Sequence, residues 1–312
     1  MKHVFGPVPS RRLGLSLGVD LVEPKTCTHD CLYCECGPTT RLLARPEPLI
    51  PAEVVLDEVA QVLAEEKRRL DYITLSGSGE PTLNSEMGRV LTGLKDLAGQ
   101  TPVAVITNSS LLHRPEVMAA LEPADLIMPS LDTVVEATFR RLNRPHPQIS
   151  LADMIEGLYG LKAALKAEIW LEMLFVAGIN DSPEELEGLR RAVERIEPER
   201  IQINTVDRPP ADRRAGPLSR ERLLELAELF GPRAEVIASP PTDFRPGQGR
   251  ELTETVLDLI DRRPCTRSDL RIALGCSEAE LAASLKVLLM KRRIREEVVA
   301  ERVYLRGVPQ ED

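Results

Sequence analysis

Cys27-Thr28-His29-Asp30-Cys31-Leu32-Tyr33-Cys34-Glu35-Cys36 gathers four of the chain's six cysteines into ten residues. The stretch follows an apolar, β-branched run at 13–22, which puts the thiols on a loop just past a strand. Thiols this close together suit a metal site in a reducing compartment better than a disulfide framework. Three of them, Cys27, Cys31 and Cys34, have the spacing C-x3-C-x2-C. Three ligands on one short loop can grip three irons of a cubane and leave the fourth iron open to a substrate or cofactor. The competing chemistry is a zinc loop that uses Cys36 as its fourth ligand, but zinc cysteines usually come as two spaced pairs. Cys36 reads as a thiol packed near the cluster or a spare ligand, with hydrogen-atom donation or substrate contact as the sharper alternative. His29 reads as a loop residue rather than a ligand.

Outward from this loop the chain alternates. Six apolar runs read as strands, at 13–22, 72–75, 103–107, 126–131, 169–176 and 201–206. Amphipathic stretches at 52–69, 85–97, 114–121, 151–166 and 182–195 lie between them, each long enough for a crossover helix. Ser182-Pro183-Glu184-Glu185 has the marks of a helix start: a hydroxyl cap, proline at the first helical position and acids in the first turn. Alternating strands and helices predict an α/β fold with a parallel sheet and right-handed connections, here a partial (βα)6 barrel of the TIM type. Such sheets place their chemistry in loops beyond the strands' carboxyl ends. Polar residues do follow the runs: 76–81, Asn108-Ser109-Ser110, Asp132, 178–181 and 207–210.

The cysteine spacing, with Tyr33 before the third cysteine, resembles the radical S-adenosylmethionine (SAM) superfamily. Gly79-Glu80-Pro81 stands one β/α unit later, where that superfamily carries a segment that binds the methionine amino group of SAM; backbone carbonyls turned inward suit an ammonium group. The resemblance implies a [4Fe-4S] cluster on Cys27, Cys31 and Cys34, with SAM at the open iron. It also implies polar strand ends around the cofactor's carboxylate and ribose, for which Asn108, Ser130, Asp132 and Glu172 are the candidates; each reads equally well as a turn or helix cap. Arg144, in the loop 140–145, is a candidate for the methionine carboxylate by its fork geometry, or a plain surface charge. The chemistry implied is the cofactor's: one-electron cleavage of SAM to a 5′-deoxyadenosyl radical that takes a substrate hydrogen, fed by a donor such as flavodoxin or ferredoxin. The segments 6–14, 31–37 and Leu142-Asn143-Arg144-Pro145 are similar to the branch related to tRNA wyosine synthases, over roughly residues 4–210. Wyosine synthases of the two-cluster type carry further cysteines before the signature loop, and none precedes Cys27 here. The resemblance therefore names the machinery and leaves the substrate open.

A length of 312 residues predicts one large unit and one small one. The reading is a barrel over 1–238, a linker rich in Pro, Arg and Gly at 239–250, and a second unit over 251–312. In the second unit three helical stretches (253–262, 267–274, 278–291) precede two β-like runs (295–299, 303–306), the order of a winged helix-turn-helix. That unit holds 11 basic against 12 acidic residues, and the whole chain carries −9, so protein or peptide docking is expected of it rather than nucleic-acid binding. Its one dense basic run, Lys291-Arg292-Arg293-Ile294-Arg295, reads as a phosphate grip or as a complement to a helix dipole. Cys265 and Cys276 read as core thiols. Aromatics make up only 3% of the chain, so the core must be built from Leu, Val, Ile and Ala. No apolar run reaches the roughly 18 residues of a membrane span and the amino terminus lacks a signal-peptide core, so a cytoplasmic protein is expected. Arg11, Arg12, Arg208, Arg213, Arg214 and Arg245 flank strand ends or the linker, as an anionic-substrate site over the barrel mouth or as solvated loops. Two functional classes follow. One is a radical enzyme acting on a macromolecule presented by the small unit or on a small anionic molecule. The other is an iron–sulfur redox sensor that binds DNA, which has no use for Gly79-Glu80-Pro81.

Overall fold

In the computed structural model, residues 2–66, 68–237, 252–299 and 302–308 are described. The amino-terminal strands β1 (Val4–Ser10) and β2 (Gly14–Val19) form an antiparallel hairpin. The short parallel pair β3 (Thr26–Cys27) and β4 (Arg41–Leu42) brackets the cysteine loop. Then follow α1 (Ala52–Glu65), β5 (Tyr72–Leu75), α2 (Met87–Ala98), β6 (Val103–Thr107), α3 (Pro115–Ala120) and β7 (Leu126–Pro129). After them come α4 (Glu136–Leu142), α5 (Leu151–Ala164), β8 (Glu168–Phe175), α6 (Pro183–Ile196), β9 (Arg200–Thr205), α7 (Arg220–Phe230) and β10 (Ala234–Val236). One eight-stranded sheet runs β1-β2-β5-β6-β7-β8-β9-β10, parallel throughout except for the β1–β2 hairpin.

The six expected strands are β2 and β5 to β9; β1 and β10 are additions. β1 escapes sequence rules because Gly6, Pro7 and Pro9 interrupt it, and prolines are tolerated only at a sheet edge, which is where β1 lies. β10 has three residues, too few for a pattern to register. The α4 turns were also unexpected. Ser182 caps α6 as read, accepting from the Glu185 amide with Pro183 in the first turn.

Strand alternation decides what faces the site. Ile73, Leu75, Val103, Val105, Ile127, Ile169, Leu171, Ile201 and Ile203 point to the helices and join one large apolar core. Their neighbours point to the concave face. There Leu13, Ala104, Leu126, Met128 and Trp170 form a separate apolar plug, and Ser16, Thr74, Glu172 and Asn204 line a cavity.

The carboxy-terminal segment comprises α8 (Leu252–Arg262), α9 (Arg267–Leu274) and α10 (Glu278–Met290), then the antiparallel ribbon β11 (Ile294–Val299) and β12 (Arg302–Gly307). Capping boxes at Thr266/Asp269 and Ser277/Glu280 start α9 and α10. Its own core, built on Val256, Leu259, Ile260, Leu270, Leu281, Leu285 and Leu305, takes in Val8 of β1 and packs on Phe5. Cys265 is buried in that core and Cys276 packs against it. The expected linker, 239–250, with Arg245, lies outside the described residues. No helix among the described residues is long and apolar enough to cross a membrane.

Candidate functional site

The cysteine loop is held by the barrel rather than by itself. The Asp30 and Leu32 amides donate to the Asn143 and Leu142 carbonyls (3.0 and 2.9 Å), and the Leu43 amide donates to the Cys27 carbonyl (2.9 Å). Leu32 is buried with Leu142, Val176 and Val206 in a small apolar cluster beneath the loop. Tyr33 donates to Asp132. Asn143 Nδ2 also donates to Asp132, at 2.8 Å, with Cys31 Sγ at 3.6 Å. His29 is buried edge-on to Phe139, with no partner for either ring nitrogen among the described residues. Burial drives its pKa down to about 3, so it packs as a neutral ring.

All four clustered cysteines line a single cavity of about 370 Å³ at the carboxyl ends of the strands. Burial, then the nearby Glu80 charge, pushes the Cys27 thiol up to about 12, and burial likewise raises Cys31. A hydrogen bond from Cys36 draws Cys34 down to about 7. Cys36 Sγ stands 4.0 Å from the Gly77 carbonyl. Half-buried thiols at a cavity become thiolates when a cationic metal centre supplies the compensating charge, so this donor set fits an iron cluster chemically. No three His, Cys, Asp or Glu side chains among the described residues converge as a single-ion site requires, whereas a cubane asks each thiolate to meet a different iron.

Gly79 and Glu80 line the same cavity. A Cβ at Gly79 would lie 2.2 Å from the Thr26 carbonyl oxygen, so only glycine lets this turn lie against the start of the cysteine loop. The Glu80 amide donates to that same carbonyl (3.1 Å). The Glu80 carboxylate accepts from Thr82 Oγ1 (2.6 Å), Thr107 Oγ1 (2.7 Å) and the Asn108 amide (2.7 Å). Burial raises its pKa against these bonds. Pro81 is buried and begins a 3-10 turn behind the cavity. Asn108 is in the lining, its Nδ2 donating to Thr28 Oγ1 at 2.8 Å with Cys27 Sγ at 3.4 Å. Ser130 and Glu172 also line it, Glu172 ion-paired with Arg12 and accepting from Asn204 Nδ2 (3.2 Å).

Besides Pro81, two more of the residues expected at the cofactor lie outside the lining. Asp132 is outside the lining; it accepts from Tyr33, Asn143 and the Leu174 amide (3.0 Å) and anchors the loop from behind. Arg144 also stands outside, pairing with Asp30 (3.6 Å) and Asp212 (2.6 Å). In this position its guanidinium is engaged by two carboxylates rather than turned to the cavity. Arg213 and Arg214 are solvated, with side chains 92% and 77% exposed.

Sequence reasoning missed the far wall. Leu259, Arg262 and Arg263, from the end of α8 and just past it, line the cavity together with Arg11, Arg12 and Arg208. Arg208 is 6% exposed and ion-paired with Glu35 of the cysteine loop (3.0 Å) and with Asp269 (3.2 Å); it also donates to the Pro264 carbonyl (2.6 Å). Burial opposes its charge, but Glu35 and Asp269 outweigh that and raise its pKa. Arg262 pairs with Asp20 at 3.2 Å. Residues separated by more than two hundred positions share no local motif, so no sequence signal marks this wall.

Against known proteins, the family described as the radical SAM superfamily matches residues 24–193. A protein of Brachyspira hyodysenteriae named GTPase Obg is 33% identical over 301 residues, which are 96% of this chain and 44% of that protein. The chain thus spans less than half of that relative's length. A UPF0026 protein of Methanocaldococcus jannaschii is 31% identical over 231 residues, covering 74% of this chain and 71% of that one. Among solved structures, a radical SAM methyltransferase from Sphaerobacter thermophilus superposes with a TM-score of 0.55 at 20% identity. That alignment covers 71% of this chain and 65% of that chain, a likeness of fold.

Proposed function

The chain belongs to the radical SAM superfamily of enzymes, whose members use a [4Fe-4S] cluster and S-adenosylmethionine, and we propose that here Cys27, Cys31 and Cys34 hold the cluster. The observation that carries this reading is the meeting of those three thiols with the Gly79–Glu80 turn, Asn108, Ser130 and Glu172 in one cavity. Held there, the cluster and SAM would supply one-electron cleavage of the sulfonium carbon–sulfur bond, giving methionine and a 5′-deoxyadenosyl radical.

The chain's own residues bind, orient and enclose. The turn at 79–80, fixed to Thr26 and Asn108, offers backbone groups to the methionine end, and Asn108, Ser130 and Glu172 offer polar contacts to the rest of the cofactor. Asp132 and Arg144 are left out of this contact set. Their role is to hold the cysteine loop and the segment around Asp212 in place. A one-electron donor such as flavodoxin or ferredoxin, which radical SAM enzymes generally need, would reach the cluster from outside. We take 1–238 as the catalytic unit and 251–312 as a winged-helix-type unit that closes the cavity with Leu259, Arg262 and Arg263. That role favours an enzyme over a redox-sensing DNA regulator, which has no use for a polar cavity beside its cluster. The sequence has no G-x4-G-K-S/T phosphate loop, and nucleotide hydrolysis is no part of the proposal.

The test is spectroscopic. Protein reconstituted anaerobically with iron and sulfide and then reduced should give the electron paramagnetic resonance signal of a [4Fe-4S] cluster, and that signal should shift when SAM is added. A signal indifferent to SAM would remove the open-iron assignment.

A further inference from the structure

Five arginines line the cavity, Arg11, Arg12, Arg208, Arg262 and Arg263, against the acidic residues Glu35, Glu80, Glu172 and Asp207. Four of the five arginines are matched: Arg11 with Asp207 (3.0 Å), Arg12 with Glu172, Arg208 with Glu35 (3.0 Å), and Arg262 with Asp20 (3.2 Å). Glu80 takes its hydrogen bonds from hydroxyls and amides, so it is not waiting for a cation. Among the described residues, that leaves Arg263 as the cavity cation without a carboxylate at ion-pair distance. Its amide donates to the Leu259 carbonyl (3.2 Å), and the half-buried residue lines the cavity, where its charge acts on Glu35 from beyond ion-pair distance while Glu35 itself is paired with Arg208. A guanidinium held partly out of water without an acceptor is satisfied by a planar or tetrahedral anion, which accepts from two of its N–H groups at once.

We propose that Arg263 anchors the anionic group, a carboxylate or a phosphate, of a small-molecule substrate held between α8 and the cysteine loop. This rests on reading the cavity as a radical SAM site and adds the class of substrate. Enclosure argues for a small molecule, because the Arg208–Asp269 and Arg262–Asp20 pairs fasten the α8–α9 wall to the barrel. A carboxylate has a second source in the methionine end of SAM, and the experiment must separate the two.

The experiment is calorimetric titration of the cluster-loaded protein, with SAM present, by inorganic phosphate and in parallel by succinate at low ionic strength. Wild type is expected to bind at least one of them at a single saturable site. Arg263→Gln should weaken that binding by about tenfold or more, Arg263→Lys should fall between, and Arg213→Gln should match wild type. Cluster absorbance confirms that each variant is folded and loaded. SAM affinity, titrated separately, should change by less than about twofold in Arg263→Gln. Three results would overturn the assignment. They are no saturable binding of either anion to wild type, binding indifferent to Arg263→Gln, or a tenfold loss of SAM affinity with anion binding unchanged, which would give Arg263 to the cofactor. Formation of 5′-deoxyadenosine by the same preparation reports on the radical reading separately: a protein that cleaves SAM but binds no anion fails this inference alone.

Discussion

The cysteine loop and the α8–α9 wall reach the same cavity from opposite sides and are held by different physics. The loop rests on a dense set of short bonds inside the barrel: the amides of Asp30 and Leu32, the Tyr33–Asp132–Asn143 network and the apolar floor under Leu32. The wall rests on a few long-range contacts. These are Arg208 with Asp269, Arg262 with Asp20, Tyr304 Oη donating to the Asp207 carbonyl (2.6 Å), and Val8 entering the small core. A closed network of short bonds around one buried carboxylate fixes the loop's geometry, whereas the wall depends on single contacts between segments far apart in the chain. The loop is therefore built to hold a metal centre still, and the wall to be set against it.

That contrast can be broken at either side. The largest effect is expected in the loop: Cys27→Ala, Cys31→Ala or Cys34→Ala should each lose the cluster, with iron falling from about four per chain to near none, while Cys36→Ala keeps it. Iron and sulfide analysis after reconstitution decides this, and cluster loss in Cys36→Ala would contradict the three-ligand assignment. Next is Arg208→Ala, which strands Glu35 and Asp269. It should destabilise by roughly 2–4 kcal/mol, below the value for a fully buried pair because both partners are partly exposed. Hydrogen exchange should show protection falling in α8 and α9 first and in α5 least. Asn143→Ala removes a donor from the buried Asp132 carboxylate and should cost about 1–3 kcal/mol by denaturant titration, with faster cluster decay in the presence of a chelator. Thr266→Ala, which deletes the α9 cap, should cost about 1 kcal/mol. Arg213→Gln, on an exposed side chain, should move stability by less than about 0.5 kcal/mol.

The two sides also differed in how much of them could be read beforehand. The loop was legible because its chemistry is local: three thiols at fixed spacing, then Gly79-Glu80-Pro81 one unit later. The parallel strands were legible from their β-branched runs, and β1 was not, because its prolines argue against a strand everywhere except at an edge. Asp132 was legible as a polar residue near a strand end and Arg144 as a charge in the loop 140–145, but not by the contacts they make, since a carboxylate facing a ligand and one facing Tyr33 look alike in sequence. The wall was illegible at the cavity. α8 and α9 could be anticipated as helices, yet nothing in 252–274 says that Arg263 reaches the cavity of Cys27. That placement comes from a buried arginine in the loop after β9, whose partners lie far away in the chain.

The most direct test of the central claim is to incubate the anaerobically reconstituted protein with SAM and a one-electron reductant and to follow 5′-deoxyadenosine by chromatography. The account predicts its formation, slow without substrate and abolished in Cys27→Ala, Cys31→Ala and Cys34→Ala. A stable, reducible cluster that leaves SAM intact would contradict it.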